Sequence, residues 1–267
     1  MPLVRIDNPD DPRIADYRNV PDGDLIERRG VFVAEGRLVV RRLLQSTRMH
    51  ARSVMVTPTA HTAIADALDP HRDVPVFLVA QPLIDAITGF HIHRGCLAIG
   101  ERPPALDGRT LTRDARRMIV LERIGNADNV GAMFRNGAAF GVDAVLLGPA
   151  CTDPLYRKSI RTSMGAALSI PFAQMIPWPR ALRDLRDCGI ITLAMTPSPD
   201  ARALGECAIE LRDRRVALVV GHAGEGLTLE ALDACDYRAR IPMAAGVDSL
   251  NVATATAIGL YELTGRA

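Results

Sequence analysis

The stretch NVGAMFRNGAAFGVDAVLLG, residues 129–148, joins a helix pattern directly to a strand pattern. Its apolar residues recur at three- and four-residue spacing, which is typical of a helix with one buried face, and DAVLLG then indicates a buried strand. We expect Asn129 to cap a helix that begins at Val130 and Gly141 to end it in the left-handed conformation. Arg135 projects away from the apolar face, so this segment alone favours a surface arginine or one paired with an acid.

Two glycines lie inside this predicted helix, Gly131 and Gly137. A glycine in a helix interior costs about 1 kcal/mol relative to alanine. We therefore expect a backbone or a ligand to approach the helix closely at these positions.

Strand patterns alternate with helix patterns on both sides of this stretch, as in VFVAEG followed by RLVVRRLLQS. Such alternation predicts an α/β architecture with a mostly parallel sheet covered by helices on both faces. The segment ERPPALDGRTLTRD interrupts the pattern with prolines and polar residues. We therefore expect a smaller α/β domain over residues 1–102, a linker over 103–116 and a second domain over 117–267.

Composition argues against several classes of protein. No apolar run reaches the roughly 20 residues that cross a bilayer, and the N-terminus lacks the apolar core of a signal peptide, so we expect a cytoplasmic protein with no membrane contact. The five cysteines form no C-x-x-C pair, which favours reduced thiols over a disulfide framework or a zinc site. His91 and His93 alternate as on a surface strand with no third ligand nearby, so we expect no metal.

The charge is nearly balanced, at +1, and gives no overall signature of nucleic-acid binding. The bases are nevertheless almost all arginines, with Lys158 the one lysine among 32. GC-rich coding explains such a bias, although arginine also suits bidentate phosphate recognition. Aromatic residues, at 4%, argue against a base-stacking platform. Four arginines lie close together around the expected linker, where a solvated charge run is the simpler interpretation: Arg109, Arg113, Arg116 and Arg117.

Three loops that follow strand patterns are rich in functional residue types: NADNVG, GHAGEGLT and PMAAGVDSLNV. Ligands of parallel α/β sheets bind at the carboxyl ends of the strands, so we expect all three loops to open on one edge of the sheet. The chain has no early G-x-G-x-x-G and no G-x-x-x-x-G-K-[ST], so dinucleotide and P-loop binding are unsupported. It also has no G-x-S-x-G elbow and no spacing that supports a hydrolase triad.

NVGAMFRNGAAFGVDAVLLG, VVGHAGEGLT and IPMAAGVDSLNVATATAIGLYE occur in this order and resemble the three signature motifs of a known family. That family is the SPOUT-superfamily RNA 2′-O-ribose methyltransferases of the SpoU/TrmH branch, and RKSIRTSMGAALSIPF is similar to its segment between the first two motifs. The resemblance covers residues 117–267. It implies a C-terminal domain with a trefoil knot, a rare exception among protein chains. The N-terminal unit, opening with VFVAEGRLVV, is similar to the ribosomal-protein-L30e-like substrate-binding domain that many members carry.

The resemblance also implies a cofactor and a reaction. S-adenosyl-L-methionine would bind largely through backbone groups of the knotted loops, and a ribose 2′-hydroxyl of rRNA or tRNA would take its methyl group, leaving S-adenosyl-L-homocysteine. No metal is needed. Ile241 and Leu250 would line the adenine and ribose site, and Gly221 would open the second motif's loop. The implied cofactor-binding residues are Thr196, Gly221, Ile241 and Leu250.

The catalytic residues implied by the resemblance are Asn129, Arg135, Ser249 and Asn251. Arg135 matches the family's essential arginine, which either orients the 2′-hydroxyl and the adjacent phosphate or helps to remove the proton. Because a guanidinium stays protonated in proteins, we favour orientation and charge stabilisation over a role as base. Helix capping is the competing explanation for Asn129, Ser249 and Asn251.

The chain departs from the family pattern at three places. Ala223 stands where the second motif usually carries an acid, with Glu225 two positions later, and Ala253 stands where a serine is common. The proline often found before the first motif's asparagine is absent. Ala223 and the L30e-like domain leave a non-catalytic RNA-binding relative open, and a base-directed RNA methyltransferase with the same fold is a second alternative. Members of the family are homodimers in which the arginine can act across the interface, so we expect a homodimer.

Overall fold

Helices and strands alternate along most of the chain, of which the computed structural model describes residues 3–18, 21–89, 92 and 95–265. The elements up to residue 101 are β1 (Leu3–Arg5), a 3-10 helix (Pro12–Tyr17), α1 (Asp22–Arg29), β2 (Val31–Glu35), α2 (Arg37–Leu44), β3 (Ala51–Val56), α3 (Pro58–Ala63), α4 (Ala65–Leu68), β4 (Val76–Leu78), α5 (Gln81–Thr88) and β5 (Cys96–Glu101). The remaining elements are α6 (Gly108–Thr112), β6 (Arg117–Leu121), α7 (Ala127–Phe140), β7 (Ala144–Leu147), α8 (Arg157–Thr162), a second 3-10 helix (Ala166–Leu168), β8 (Phe172–Gln174), α9 (Arg180–Asp187), β9 (Ile191–Met195), β10 (Arg202–Ala203), α10 (Leu204–Leu211), β11 (Val216–Val220), α11 (Leu229–Ala234), β12 (Tyr237–Arg240) and α12 (Val252–Thr264).

Two compact units divide the chain. The first comprises Met1–Pro104 and Asp153–Ser169, and the second comprises Ala105–Thr152 and Ile170–Ala267. The sequence pattern groups Asp153–Ser169 with the second domain, whereas in the structure α8 packs on β2 of the first unit. The first unit holds this segment through an ion pair between Arg102 and Asp153 with an N–O distance of 2.7 Å.

A mixed sheet of five strands forms the centre of the first unit, in the order β1-β4-β3-β5-β2. Strands β1, β4 and β3 run parallel, while β5 is antiparallel to both β3 and β2. A cluster of buried side chains, including Val33, Met55 and Phe77, fills the core on one side of this sheet. The first unit is therefore an α/β unit, as the alternation predicts.

A seven-stranded sheet forms the centre of the second unit, in the order β10-β12-β9-β11-β6-β7-β8, and every pair of neighbours is parallel. Met118 and Val120 belong to the same buried cluster as residues of α9 and α11. The alternate residue Ile119 lies near Gly137 of α7 instead. Because successive side chains of a strand point to opposite faces, helices cover both faces of the sheet. The predicted α/β fold with a parallel sheet covered by helices on both faces is confirmed, and the trefoil knot stays a prediction.

The helix that carries the first motif begins earlier than the sequence pattern predicts. It starts at Ala127, and its N-cap is Asn126, whose side-chain oxygen accepts a hydrogen bond from the backbone N–H of Asp128 at 2.8 Å. Asn129 therefore lies in the first turn, and its predicted role as N-cap of this helix is wrong. The sequence contains two asparagines that can cap, and the first one starts the helix. Gly141 ends it in the left-handed conformation at φ 69°, as predicted.

The interior glycine Gly137 faces the sheet. A Cβ atom there would lie 3.3 Å from side-chain atoms of Ile170 and Val142 and 3.4 Å from Ile119. The atoms nearest to this position are thus side-chain atoms of the core, where we expected a backbone or a ligand.

Candidate functional site

The carboxyl ends of β9, β11 and β12 open onto a cavity of about 390 Å³ within the second unit. The residues that line it are Met195–Ser198 after β9, Val220–Leu227 after β11, four residues after β12 (Ile241, Met243, Ser249 and Leu250), Leu232 of α11, and Val252 and Ala255 of α12. A volume of this size lies within the range of small-molecule sites, and the carboxyl edge of a parallel sheet is where such sites form. The cavity is therefore the candidate cofactor site.

All four residues assigned to the cofactor on resemblance line this cavity. They come from three separate loops: Thr196, Gly221, Ile241 and Leu250. The backbone N–H of Thr196 donates to the carbonyl of Ala239 at 3.0 Å, which ties the loop after β9 to β12. Parallel pairing of the strands thus brings together residues that lie up to 54 positions apart, from 196 to 250.

Gly221 permits a tight closed turn in the loop after β11. The backbone groups of His222 and Gly226 exchange two hydrogen bonds, at 3.1 and 3.0 Å. A Cβ atom on Gly221 would lie 2.5 Å from backbone atoms of Gly226 and Leu227, closer than real Cβ contacts come. Only glycine fits there without a shift of the backbone, and the closed turn leaves a wall of small residues against the cavity.

His222 also lines the cavity, although the sequence analysis assigned it no role. Its Nδ1 accepts hydrogen bonds from the backbone N–H groups of Gly224 and Glu225, both at 3.2 Å. An imidazole nitrogen that accepts carries no proton. The ring therefore presents its other nitrogen, Nε2, as the donor.

The acid of the glycine-rich loop, Glu225, is paired. Its carboxylate forms an ion pair with Arg123, which follows β6 and has a left-handed backbone at φ 58°. The family's acid is replaced by Ala223, and both Ala223 and Glu225 line the cavity. The ion pair thus joins the loop that follows β6 to the exposed side of the glycine-rich loop that follows β11.

A buried carboxylate also joins the loop that follows β6 to the glycine-rich loop. Glu122, at the end of β6, is fully buried. Its Oε1 accepts from Trp178 Nε1 at 2.8 Å and from Thr228 Oγ1 at 2.7 Å, and its Oε2 accepts from the Thr228 backbone N–H at 2.8 Å. Thr228 is the N-cap of α11, the helix that follows the glycine-rich loop. We name this set of contacts the Glu122 clamp.

Helices α7 and α12 bring the first and third motifs together. Asn251 Nδ2 donates to Asn129 Oδ1 at 3.2 Å, and Asn136 Nδ2 donates to the carbonyl of Ala253 at 2.8 Å. The Asn251 side-chain oxygen caps α12 by accepting from the backbone N–H groups of Ala253 and Thr254, so its capping role and its link to Asn129 coexist. Ser249 lines the cavity and is not the cap of α12.

Arg135 lies apart from the cavity. It is exposed on α7, and it is absent from the cavity lining formed by the described residues. Across the part of the chain that the structure describes, its guanidinium makes no hydrogen bond and no ion pair. Of the two simple explanations for this arginine, a surface position or a pair with an acid, the described residues show only the surface position.

The described residues contain no group of three or more histidine, cysteine or acidic side chains placed to hold a metal ion. His91 and His93 lie outside the described residues. No helix within the described ranges combines the length and apolar character that crossing a membrane requires.

Comparison with known proteins gives matches over most of the chain. A model of the SpoU rRNA methylase family matches residues 116–261. An uncharacterised tRNA/rRNA methyltransferase of Mycobacterium bovis is 40% identical over 96% of this chain and 90% of its own length. A 23S rRNA (guanosine-2′-O-)-methyltransferase of Xanthomonas campestris is 32% identical over 59% of each chain. The crystal structure of an AdoMet-bound rRNA methyltransferase from Sinorhizobium meliloti has the same fold, with a TM-score of 0.82 at 24% identity over 98% of this chain and 97% of that one.

Proposed function

Because the chain belongs to the SpoU rRNA methylase family, we propose that it transfers a methyl group from S-adenosylmethionine to a ribose 2′-hydroxyl of rRNA or tRNA. One observation carries the proposal: the three motif-bearing loops meet around a single cavity of about 390 Å³ at the carboxyl edge of the sheet. The relatives from Mycobacterium bovis and Xanthomonas campestris are RNA methyltransferases, and the second of them methylates a guanosine 2′-oxygen, which supports RNA as the substrate.

The residues of the cavity fit S-adenosylmethionine. The turn at Gly221 is closed so tightly that a Cβ atom there would meet the backbone of Gly226 and Leu227, and it leaves small residues and backbone groups along the cavity for a ligand to approach. Ile241 and Leu250 offer apolar contact to a planar base, while the hydroxyl groups of Thr196 and Ser249 offer polar contacts. The cofactor supplies the reactive methyl group on a positively charged sulfur. The protein's own part is then to bind, to orient and to exclude water.

We assign the chain's residues to positioning and charge stabilisation. Arg135 would bind the phosphate next to the target ribose and orient the 2′-hydroxyl, since its guanidinium keeps its charge. Asn129 and Asn251, joined by their hydrogen bond, would fix the start of α12 beside the cavity. Ser249 would contribute its hydroxyl group at the cavity wall. Holding the reacting groups in line provides most of the rate that such a site needs.

We propose further that the protein acts as a homodimer and that Arg135 serves the partner's cavity. Support comes from its position: it is exposed on α7, outside the cavity lining and without a described partner. On the neighbouring α12, Tyr261 is 52% exposed and packs edge-on against Phe140 with ring centroids 6.2 Å apart. These two aromatic side chains offer apolar surface to a second copy.

The methyl-transfer proposal is tested by incubating the purified protein with labelled S-adenosylmethionine and total bacterial RNA. We expect label in RNA at a linkage that resists alkaline cleavage, since a methylated 2′-oxygen cannot attack the neighbouring phosphate. Label at a linkage that alkali still cleaves would place the methyl group on a base. RNA binding without any transfer would identify a non-catalytic relative. Mapping 2′-O-methyl sites in a deletion strain against its parent would identify the target nucleotide.

The shared site is tested by mixing two inactive variants, Arg135→Ala and Gly221→Val. If Arg135 acts across the interface, mixed dimers contain one intact site, and activity returns to roughly a quarter of the wild-type value through random pairing into closed dimers. No recovery in a mixture that light scattering shows to be dimeric would place the arginine in its own chain's site. A monomeric wild-type protein would refute the dimer.

A further inference from the structure

Two short arginine-rich segments meet at the amino-terminal ends of the central strands. They are RDARR, residues 113–117, immediately before and into β6, and RDRR, residues 212–215, immediately before β11. Because β6 and β11 are parallel neighbours, the segments lie side by side. We name this surface the basic edge and define it by six arginines: Arg113, Arg116, Arg117, Arg212, Arg214 and Arg215.

Two of these arginines are fixed by backbone carbonyls. Arg117 donates to the carbonyl oxygens of Arg212, Arg214 and, at 3.1 Å, Leu263. Arg215 donates in the same way to the carbonyl of Ala115 at 2.9 Å and to three other carbonyls from two loops. A carbonyl accepts a hydrogen bond but carries no net charge, so these contacts hold the two side chains in place without pairing them to an acid. Burial lowers the pKa of Arg117 and nearby Arg116 adds to this, while the carboxylates of Asp143 and Asp213 act in the opposite direction.

The other four arginines, at positions 113, 116, 212 and 214, are exposed. Among the described residues, no carboxylate lies within ion-pair distance of any arginine of the basic edge. The two segments carry six arginines and two aspartates, and the carboxylate of Asp143 lies beside them and accepts from the backbone N–H groups of Arg116 and Arg117. This group has a net charge of +3 in a chain whose total is +1. Positive charge is thus concentrated at this edge.

We propose that the basic edge is a second RNA-contact surface, which binds phosphates of the substrate's backbone away from the methyl-transfer site. This inference rests on the proposed function. Guanidinium groups suit bidentate phosphate contacts, and neither segment contains an aromatic residue for stacking on bases. The contact is therefore independent of RNA sequence and adds affinity and orientation.

The basic edge is separate from the cofactor cavity. The cavity includes Val220 and Gly221 at the carboxyl end of β11, whereas the basic edge lies before Val216 at its amino end. A strand of five residues spans about 16 Å at about 3.3 Å per residue. An RNA that reaches both places must run along the second unit, and cofactor binding does not involve the basic edge.

The test compares two triple variants that remove the same charge. The first, Arg113→Ala with Arg116→Ala and Arg214→Ala, removes exposed arginines and keeps the two that hold the backbone. The control removes exposed arginines of the same unit from α9 and β12: Arg180→Ala, Arg183→Ala and Arg238→Ala. The probe is fluorescently labelled, unfractionated bacterial tRNA, with binding measured by anisotropy over a series of salt concentrations.

In the first variant, the slope of log affinity against log salt concentration should become shallower by about 2 to 3. Each phosphate contact contributes roughly 0.7 to 0.9 to the magnitude of this slope, and the variant loses three. The control should keep the wild-type slope, and the triple lysine variant at positions 113, 116 and 214 should regain it. Equal slopes in the two alanine variants, or no tRNA binding by the wild type, would overturn the proposal.

Cofactor affinity and methyl transfer are measured on the same proteins. If the wild type transfers methyl groups but the salt slopes of the two alanine variants are equal, then the basic edge does not bind RNA and the proposed function stands. A wild type without transfer whose slope depends on the basic edge refutes the enzyme and leaves the RNA surface standing.

Discussion

Replacing Glu122 by glutamine tests whether the Glu122 clamp fixes the conformation of the glycine-rich loop. The glutamine side chain has nearly the same volume, and its oxygen can still accept from Trp178 and the Thr228 hydroxyl. Its amide nitrogen would then face the Thr228 backbone N–H, where Oε2 now accepts at 2.8 Å. Two donors opposed at a buried position leave both without a partner.

The expected change in the free energy of unfolding follows from these contacts. A hydrogen bond to a charged group contributes about 1.5–3 kcal/mol, and a buried donor without a partner costs about 1–3 kcal/mol. Removing a buried charge offsets part of this loss. We therefore expect Glu122→Gln to lower the free energy of unfolding by about 2–3 kcal/mol, which corresponds to a fall in Tm of about 4–12 °C.

The chain's one tryptophan, Trp178, makes the clamp directly observable. Its indole N–H donates to Glu122, so loosening the clamp should shift the emission of the folded protein to longer wavelength. Circular dichroism gives the Tm, and calorimetry gives the affinity for S-adenosylmethionine. We expect that affinity to fall about tenfold, because Thr228 begins the helix that anchors the glycine-rich loop and 1.4 kcal/mol corresponds to a factor of ten.

The matched control is Glu230→Gln, an exposed acid on α11. It should change stability by at most about 1 kcal/mol and leave the tryptophan emission unchanged. If Glu122→Gln behaves like this control in Tm, emission and cofactor affinity, then the buried carboxylate does not hold the loop and the reasoning fails.

Four further predictions concern single residues. Arg135→Ala should lower kcat by on the order of 100-fold or more with cofactor affinity nearly unchanged in calorimetry; an unchanged rate would remove it from the mechanism. Gly221→Ala should weaken cofactor binding about tenfold, because its Cβ forces the loop backbone apart at a cost of about 1–3 kcal/mol; wild-type affinity would contradict the close approach. Asn251→Ala should lose about 1 kcal/mol of stability with the helix cap, whereas Asn251→Asp should keep the cap and lose activity with the amide donor; equal melting of the two variants would argue against capping. Burial raises the pKa of Cys96 and of Cys235 to about 12, so both thiols should resist iodoacetamide at neutral pH in the folded protein, and mass spectrometry that finds them alkylated as fast as in urea would refute this.

The sheet of the second unit could be predicted because its strands are buried on both faces. Such strands appear as short apolar runs, as in VALVV and AVLL. The helix α6 within the expected linker was missed, since GRTLT is short and lies among polar residues. The association of α8 with the first unit was missed for a different reason. It depends on contacts such as the one between Asp22 and the backbone of Arg157, which are 135 residues apart, and local patterns carry no information about such contacts.

The candidate site also contains residues that the sequence indicates and contacts that it does not reveal. The resemblance indicated Thr196, Gly221, Ile241 and Leu250, and the structure places all four around one cavity; their roles remain predictions. The Glu122 clamp had only a weak signal in the sequence, a single acid at the end of an apolar strand. Its partner Thr228 is 106 residues away. The pairing arises only because β6 and β11 are neighbours.

The position of Arg135 has a consequence for how the protein works. Among the described residues, the lining of the cavity comes from the second unit alone, so we expect a single chain to bind the cofactor without Arg135. Our proposal makes methyl transfer depend on Arg135 of a second copy, since this side chain is exposed on α7 and lies outside the cavity lining formed by the described residues. Cofactor affinity should therefore be independent of protein concentration, whereas the specific activity should fall on dilution below the dimer dissociation constant. A specific activity that stays constant while light scattering shows the dimer dissociating would place the arginine's action within one chain.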